Sequence, residues 1–315
     1  APLSFRFLSF YLPKALRYLE YWREHRDPNA NGLVSIIHPW ESGLDASPLY
    51  DPVHGFFYRG ATDFAGKAGY GSGPIEDHHD VFGTGGGNLG RGEALYHGVG
   101  HVPTPEELYP KFIVLLYRYR HRHQWNLTDI YANCHHRFDV EDIGVNAILA
   151  DNFRLISTLA DELKRVHKSL ESQVDSSAAA AQRNIHHRDV ASRKIGRLQV
   201  RADVAFYKLT HAIFTMSFKE SGDGGGFFRS FGWSPVHASY IALTGRTIQG
   251  LMPLLLLSDG AIAHYESIHQ QHHNTVNGIS SPVPHEMLLK MRKSLLVAIT
   301  DPTDFGLPFA VPTTS

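Results

Sequence analysis

Apolar residues recur at helical spacing near the start of the chain. In residues 12–26, Leu12, Leu16 and Trp22 fall on one side of a helix, and Pro13 suits its first turn. The polar residues between them would face solvent. This pattern predicts an amphipathic helix over residues 12–26.

The same periodicity returns after residue 105 and predicts most of the remaining chain to be helical. Predicted helices cover about 105–123, 140–167, 183–209, 235–250, 252–272 and 284–299. Residues 176–182 are interpreted as a connector, and the glycines of residues 218–226 as a turn. Since few segments alternate as strands do, the expected fold is all-α, with sequential helical hairpins forming a bundle or a toroid.

Residues 54–108 interrupt this pattern with a Gly/Pro-rich insert in which no helical period survives. Its stretch GTGGGNLGRG, residues 83–92, lacks the lysine and Ser/Thr of a phosphate-binding loop, and no strand precedes it. A flexible surface loop is therefore expected there. Long loops of this kind are often functional, and a lid over a ligand pocket is one hypothesis for the insert.

The composition indicates a protein that binds a small molecule. Of 315 residues, 43% are hydrophobic, and 30 Lys+Arg balance 31 Asp+Glu, so no charge surplus favours nucleic acid or anionic lipid. The apolar runs are far shorter than the roughly 20 residues of a membrane helix. We expect no membrane span and a cytoplasmic location. The single cysteine, Cys134, is predicted to be a small buried hydrophobe.

Histidine is frequent, with 21 residues, but its spacing does not predict a metal site. No HExxH motif is present. His269 and His273 have the spacing of two helix-borne zinc ligands, yet no third ligand can be named. We therefore predict neither a metal nor another cofactor.

The segment HPWESGLDASPLYD, residues 38–51, combines an aromatic plate with carboxylates. Trp40 could cover the apolar face of a sugar, while Glu41 and Asp45 could bind hydroxyls or donate a proton. Gly43 would let the backbone bend so that these side chains face one cavity. The alternative for this segment is a surface loop with helix-capping acids.

Read with the residues before it, DPNANGLVSIIHPWESGLD (27–45) resembles the sugar-site loop of the glucosylglycerate and mannosylglycerate hydrolases, relatives of glycoside hydrolase family 63. The stretches FDVEDIGVNAILADN, GRTIQGLMPLLL and FGLPFAVPTTS extend the resemblance in the same order. It implies an (α/α)6 toroid as a single domain over residues 1–315. It also implies an inverting hydrolase that acts on small α-glucosides or α-mannosides.

The resemblance also implies roles for individual residues. Asp45 matches the general acid of the family, and its role demands a raised pKa. The expected sugar-binding residues are Trp40, Glu41, Gly43 and Tyr50.

Three residues depart from the family pattern WESGxDNSPRWD: Ala46 replaces Asn, Leu49 replaces Arg and Tyr50 replaces Trp. The loss of an amide and a guanidinium removes polar contacts that could hold a ligand. A changed substrate would follow, or a protein without hydrolase activity: a sugar-binding or assembly protein, or an acid catalyst for isomerisation or cyclisation.

The general base of the family is a glutamate beyond the PFAVPTTS-like stretch, and this chain ends at Ser315. The base is therefore not identified. Glu220 and Glu266 are candidates by composition, and each is also interpreted as a solvated surface residue. With one predicted helix before Trp40, we expect an incomplete toroid lacking both ends, or a partner subunit or oligomer that closes it.

Overall fold

The computed structural model of the chain describes residues 3–44, 47–50, 53, 105–135, 137–172, 178–220, 226–243, 247–272 and 281–300. These residues are mostly helical, as predicted, but they also contain five short strands. Most of the predicted insert, and with it the loop 83–92, lies outside the described residues, as does His273.

Seven α-helices form the main part of the described chain. They are α1 Leu3–His25, α2 Pro105–His121, α3 Leu127–Asn133, α4 Ile143–Ser172, α5 Ala178–Ala212, α6 Asp259–His272 and α7 His285–Thr300. A π-helical turn, Ile213–Ser217, follows α5, and 3-10 helices cover Pro39–Ser42, Pro48–Tyr50 and Ile248–Leu257.

The strands form two small antiparallel sheets. The strands are β1 Val140–Glu141, β2 Phe218–Glu220, β3 Gly226–Phe228, β4 Phe231–Ser234 and β5 Ser239–Ala242. One sheet has the order β1-β4-β5, and the other pairs β2 with β3. Ile36 pairs with Val140 on the side of β1 away from β4, and this pairing brings an early segment of the chain to the sheet.

Helix α1 begins nine residues earlier than predicted, so Pro13 lies inside it rather than in its first turn. A proline in a helix interior removes one backbone hydrogen bond and costs about 3 kcal/mol. Leu12 and Leu16, on either side of Pro13, are 4% and 1% exposed. Their burial opposes that cost and keeps the helix continuous.

The predicted helix at 235–250 is wrong, because residues 239–242 form β5 instead. There Tyr240 pairs with Trp233 of β4, and their rings lie 5.8 Å apart. The predicted helix at 252–272 is also divided, since Pro253 lies within a 3-10 helix and α6 begins at Asp259. Val140, the predicted start of α4, belongs to β1.

A further correction concerns the segment after α4. Residues 178–182, predicted as part of a connector, are helical and open α5. A run of alanines favours this outcome because alanine has the highest helix propensity.

The chain divides into two compact units, each made of three separate segments of the sequence. The first unit contains residues 1–33, 146–216 and 253–289, and the second contains 34–145, 217–252 and 290–315. In the core of the first unit, the rings of Tyr207 and Tyr265 stack 4.6 Å apart. The single domain over residues 1–315 stays a prediction.

Cys134, in the second unit, is 4% exposed, which confirms that it is buried. Burial raises the pKa of its thiol, although nearby Arg118 opposes the shift. None of the described helices is long and apolar enough to cross a membrane.

Leu16→Ala should destabilise the first unit strongly, because it deletes a side chain that is 1% exposed. We expect a loss of about 2–5 kcal/mol in the free energy of unfolding, measured by urea denaturation. Leu155→Ala is the control, since Leu155 is 43% exposed on α4 and should cost less than about 1 kcal/mol. Equal losses would contradict this description of the core.

Candidate functional site

Backbone pairing at the edge of the three-stranded sheet places the candidate site. The Ile36 N–H donates to the Val140 carbonyl at 2.8 Å, and the Val140 N–H donates back at 3.0 Å. The Tyr119 hydroxyl adds a second link, 3.1 Å from the Ile37 carbonyl and 3.2 Å from the Phe138 N–H. The residues that follow Ile37 are therefore fixed beside the strand that leads into α4.

Residues 38–43, here called the tryptophan turn, form a short 3-10 helix capped by His38. His38 Nδ1 accepts a hydrogen bond from the Trp40 N–H at 3.2 Å, and Nε2 lies 3.3 Å from the Phe112 carbonyl. Since one ring nitrogen faces a donor and the other an acceptor, the contacts fit a neutral imidazole with its proton on Nε2. His38 is thus a structural cap for the turn.

Glu41 also stabilises the tryptophan turn. Its Oε2 accepts a hydrogen bond from the Ile37 N–H at 2.8 Å. A carboxylate that binds a backbone N–H one turn earlier closes the segment on itself. Glu41 therefore has a structural partner, and its predicted contact with a sugar stays a prediction.

Gly43 ends the turn in the left-handed region, with φ of +68°, and its N–H donates to the Trp40 carbonyl at 3.3 Å. The predicted bend at this glycine is present. A Cβ placed on Gly43 would meet no atom within 4 Å, so backbone conformation alone favours glycine here.

Trp40 is the exposed aromatic plate of the turn. It is 44% exposed, while its ring centroid lies 4.7 Å from that of His38 and 5.8 Å from that of Phe112. Packing on these two rings fixes its orientation and leaves part of its surface open. Such a ring can stack on the apolar face of a sugar.

Asp45, the predicted general acid, and Ala46 lie outside the described residues. The chain is described again at residues 47–50, here called the tyrosine turn, which includes the 3-10 helix Pro48–Tyr50. Tyr50 is 0% exposed, and its hydroxyl donates to Asp142 Oδ2 at 2.6 Å. A side chain buried to this extent offers a ligand no open surface.

Leu49 is 3% exposed. The position that carries Arg in the family motif is therefore a core position here. The sequence had indicated that replacing this Arg removes a ligand contact, and the structure shows that Leu49 is buried.

Asp142 is the main residue that sequence reasoning did not single out. It is 0% exposed, and Oδ1 accepts a hydrogen bond from the Val145 N–H at 2.8 Å in the first turn of α4. Burial raises the pKa of the Asp142 carboxyl, while hydrogen bonds from Tyr50, Val145 and Gly144 oppose the shift. An aspartate directly before an apolar helical run was the available clue, because aspartate is a common N-cap.

Gln249 provides a second contact to the tyrosine turn. Its Nε2 donates to Ser47 Oγ at 2.8 Å. A Cβ placed on Gly144 would lie 3.1 Å from Asp142 Oδ1 and 3.2 Å from Gln249 Cβ. Asp142 and Gln249 therefore both border Gly144.

A buried ion pair supports the strand that precedes Asp142. Asp139 Oδ2 accepts from Arg137 Nε at 2.8 Å and from the Tyr240 hydroxyl at 2.5 Å. The Arg137 guanidinium lies 4.0 Å from the ring centroid of Trp233. Burial, with the charge of Asp139 nearby, raises the pKa of Tyr240, so the phenol stays protonated as a donor.

Of the two candidate bases, Glu220 has a side chain outside the described residues, so its role stays a prediction. Glu266 Oε1 lies 2.7 Å from His285 Nδ1 on the surface, and its role as a base also stays a prediction. Among the described residues, no group of three or more His, Cys, Asp or Glu could hold a metal ion.

The motifs around these two turns are those of a glycoside hydrolase domain. The model of the family "Mannosylglycerate hydrolase MGH1-like glycoside hydrolase domain" matches residues 4–315, and the chain belongs to this family.

Individual relatives match parts of the chain. A mannosylglycerate hydrolase of Thermus thermophilus is 33% identical over 162 residues, which are 48% of this chain and 30% of that protein. Mannosylglycerate hydrolase MGH1 of Selaginella moellendorffii is 49% identical over 39 residues, which are 12% of this chain and 8% of that protein.

Among solved structures, a family 63 mannosylglycerate hydrolase from another strain of Thermus thermophilus, in complex with Tris, matches with 22% identity and a TM-score of 0.44. The match covers 89% of this chain and 51% of that chain. The present chain thus spans about half the length of this solved relative.

Gly43→Ala should destabilise the protein through backbone strain alone, since space for a Cβ is open. We expect a loss of about 1–2 kcal/mol in the free energy of unfolding. Gly196→Ala on α5 is the matched control, because that position is also open but lies within a helix. At position 196, alanine should increase the free energy of unfolding by up to about 1 kcal/mol. Thermal and urea unfolding of both variants would test the opposite signs.

Asp142→Asn should change how stability depends on pH. Because burial raises the native pKa, the wild-type native state keeps this proton after the unfolded chain has lost it. The free energy of unfolding of the wild type therefore falls as pH rises from the unfolded pKa of about 3.9 to the raised native value. The variant lacks this contribution. Urea unfolding between acidic and neutral pH should show its stability rising relative to wild type, and parallel curves would contradict the assignment.

Proposed function

We propose that the chain carries the sugar-binding turn and the general acid of an inverting glycoside hydrolase for small α-glucosides or α-mannosides. The observation that carries the proposal is the family match over residues 4–315. The residues on either side of Asp45 in the sequence support it: Trp40, before it, is exposed, and the Tyr50 hydroxyl, after it, binds Asp142.

In the proposed mechanism, Asp45 protonates the glycosidic oxygen as the bond to the leaving group breaks. Trp40 stacks on the sugar, and Glu41 and Gly43 form the wall of the same subsite. Tyr50 acts from below the surface, as an anchor of the turn. A second carboxylate, acting as base about 6.5–9.5 Å away, activates the water that attacks from the opposite face and inverts the anomeric centre.

We propose further that the helices belong to an (α/α)6 toroid, with the site on its axis. The mostly helical described residues and the family membership support this proposal. In this arrangement the toroid is completed by further helices or by a partner subunit, and it takes up a small sugar without a metal or other cofactor.

The substrate to test first is mannosylglycerate, after which the hydrolases similar to this chain are named. The departures from the family motif at Leu49 and Tyr50 fall on side chains that are 3% and 0% exposed. Core substitutions of this kind change how the turn is supported and leave the surface of Trp40 available. Because these two motif changes fall on buried side chains, they favour a sugar site that is retained at Trp40.

Hydrolysis of mannosylglycerate, glucosylglycerate and aryl α-mannosides by the full chain tests the proposal, with the released anomer followed by NMR. Asp45→Asn should lower kcat by about 10²–10⁴-fold, because the leaving oxygen loses its proton donor. Asp161→Asn is the control, since Asp161 is a half-exposed aspartate on α4 that pairs with Arg165, and its loss should leave turnover unchanged.

Trp40→Ala should raise KM, and Trp40→Phe should recover part of the loss because a smaller ring still stacks. Release of the same anomer as the substrate would contradict the inverting mechanism. A folded wild type that binds these sugars in calorimetry but turns none over would instead favour the non-hydrolytic alternatives, a sugar-binding or assembly protein or an acid catalyst for isomerisation or cyclisation.

A further inference from the structure

Two buried residues hold the turn that directly follows the general acid. We propose that Asp142 and Gln249 are positioning residues, which fix the tyrosine turn so that the Asp45 carboxyl is presented to the glycosidic oxygen. This inference rests on the proposed function. It assigns a task to residues that do not themselves touch the sugar.

The tryptophan turn contains several local hydrogen bonds. Glu41 binds the Ile37 N–H at 2.8 Å, the Ser42 hydroxyl donates to the Pro39 carbonyl at 2.7 Å, and Gly43 N–H donates to the Trp40 carbonyl. Each of these bonds joins residues three or four positions apart. The Ser42 side chain also interacts with the Tyr50 hydroxyl, which links this turn to the tyrosine turn.

The tyrosine turn has long-range anchors instead. The bond from Tyr50 to Asp142 spans 92 positions of sequence, and the bond from Gln249 to Ser47 spans 202. One anchor is at each end of this four-residue segment. Within it, the Tyr50 N–H donates to the Ser47 carbonyl at 3.0 Å, so the two anchored ends are also tied to each other.

Both anchors are themselves rigid. Asp142 is fixed at the start of α4 by the Val145 N–H, and Gln249 is 2% exposed. Gly144 lies against both side chains, and a methyl group there would have to displace them by a few tenths of an ångström. At Gly250, the residue after Gln249, a Cβ would lie 2.8 Å from the Phe228 carbonyl. Backbone contact thus fixes the base of the Gln249 side chain.

The two turns meet where the Tyr50 hydroxyl interacts with the Ser42 side chain, but different long-range contacts hold each of them. Loosening the tyrosine turn should impair proton donation, because a misplacement of about 1 Å can lower a rate on the order of 10²-fold. Sugar binding should change less, since the Trp40 ring also packs on His38 and Phe112. The expected signature is a lower kcat with an almost unchanged KM.

The test compares Tyr50→Phe, Gln249→Leu and the double variant with wild type in the full chain. On mannosylglycerate we expect kcat to fall about 10- to 100-fold in each single variant, with KM within about twofold. On α-mannosyl fluoride, whose leaving group departs without protonation, the loss should largely disappear. This rescue separates a misplaced proton donor from a damaged fold.

Tyr265→Phe is the matched control. It also removes the hydroxyl of a tyrosine that is 0% exposed, one that accepts from the Val283 N–H at 3.2 Å in the first unit. It should lower stability while kcat on both substrates stays unchanged. An equal fall of kcat in Tyr265→Phe, or an equal loss on the fluoride in Tyr50→Phe, would overturn the positioning role.

Amide hydrogen exchange tests the anchors without catalysis. Tyr50→Phe should speed exchange at the amide of residue 50 by up to roughly tenfold, the factor expected for one lost hydrogen bond, with a smaller change at the Gly43 amide. Unchanged exchange at the amide of residue 50 would show that the hydrogen bond from Tyr50 to Asp142 does not hold the turn. If the wild type shows this effect of the bond on exchange but hydrolyses neither substrate, the proposed hydrolase function is overturned, and the catalytic role of the two anchors with it.

Discussion

A buried carboxylate at the start of α4, Asp142, organises the second unit. It follows β1 directly, caps the helix through the Val145 N–H, and accepts the Tyr50 hydroxyl. Burying a carboxylate is costly unless hydrogen bonds replace its hydration, and here backbone and phenolic donors do so. The sheet edge, the helix start and the tyrosine turn therefore share one electrostatic support.

Around this support, the molecule combines a fixed framework with a small exposed element. The pairing of Ile36 with Val140 and the ion pair of Arg137 with Asp139 fix the framework, and the tryptophan turn projects from it. Trp40 is oriented by His38 and Phe112 yet keeps an open surface. An aromatic side chain oriented in this way would lose little side-chain entropy if a ligand stacked on it, as we propose for Trp40.

Long helices with strong periodicity were predictable from the sequence, whereas contacts between distant residues were not. The start of α2 at Pro105 was predicted, and α7 was placed within one residue at each end. The strands have two to four residues, too few for alternation to be read, so β5 was mistaken for helix. The bend at Gly43 followed from residue type. The burial of Tyr50 did not, because its partner lies 92 positions away and tyrosine suits a surface as well as a core.

The chain also contains its own reporter group. Cys134 is the single cysteine of the sequence, and it is buried in the second unit with a raised thiol pKa. Thiol reagents react with the exposed thiolate, so the native protein should be labelled slowly. The rate at which a chromogenic disulfide reagent modifies the protein therefore measures how often the surroundings of Cys134 open, with no probe introduced.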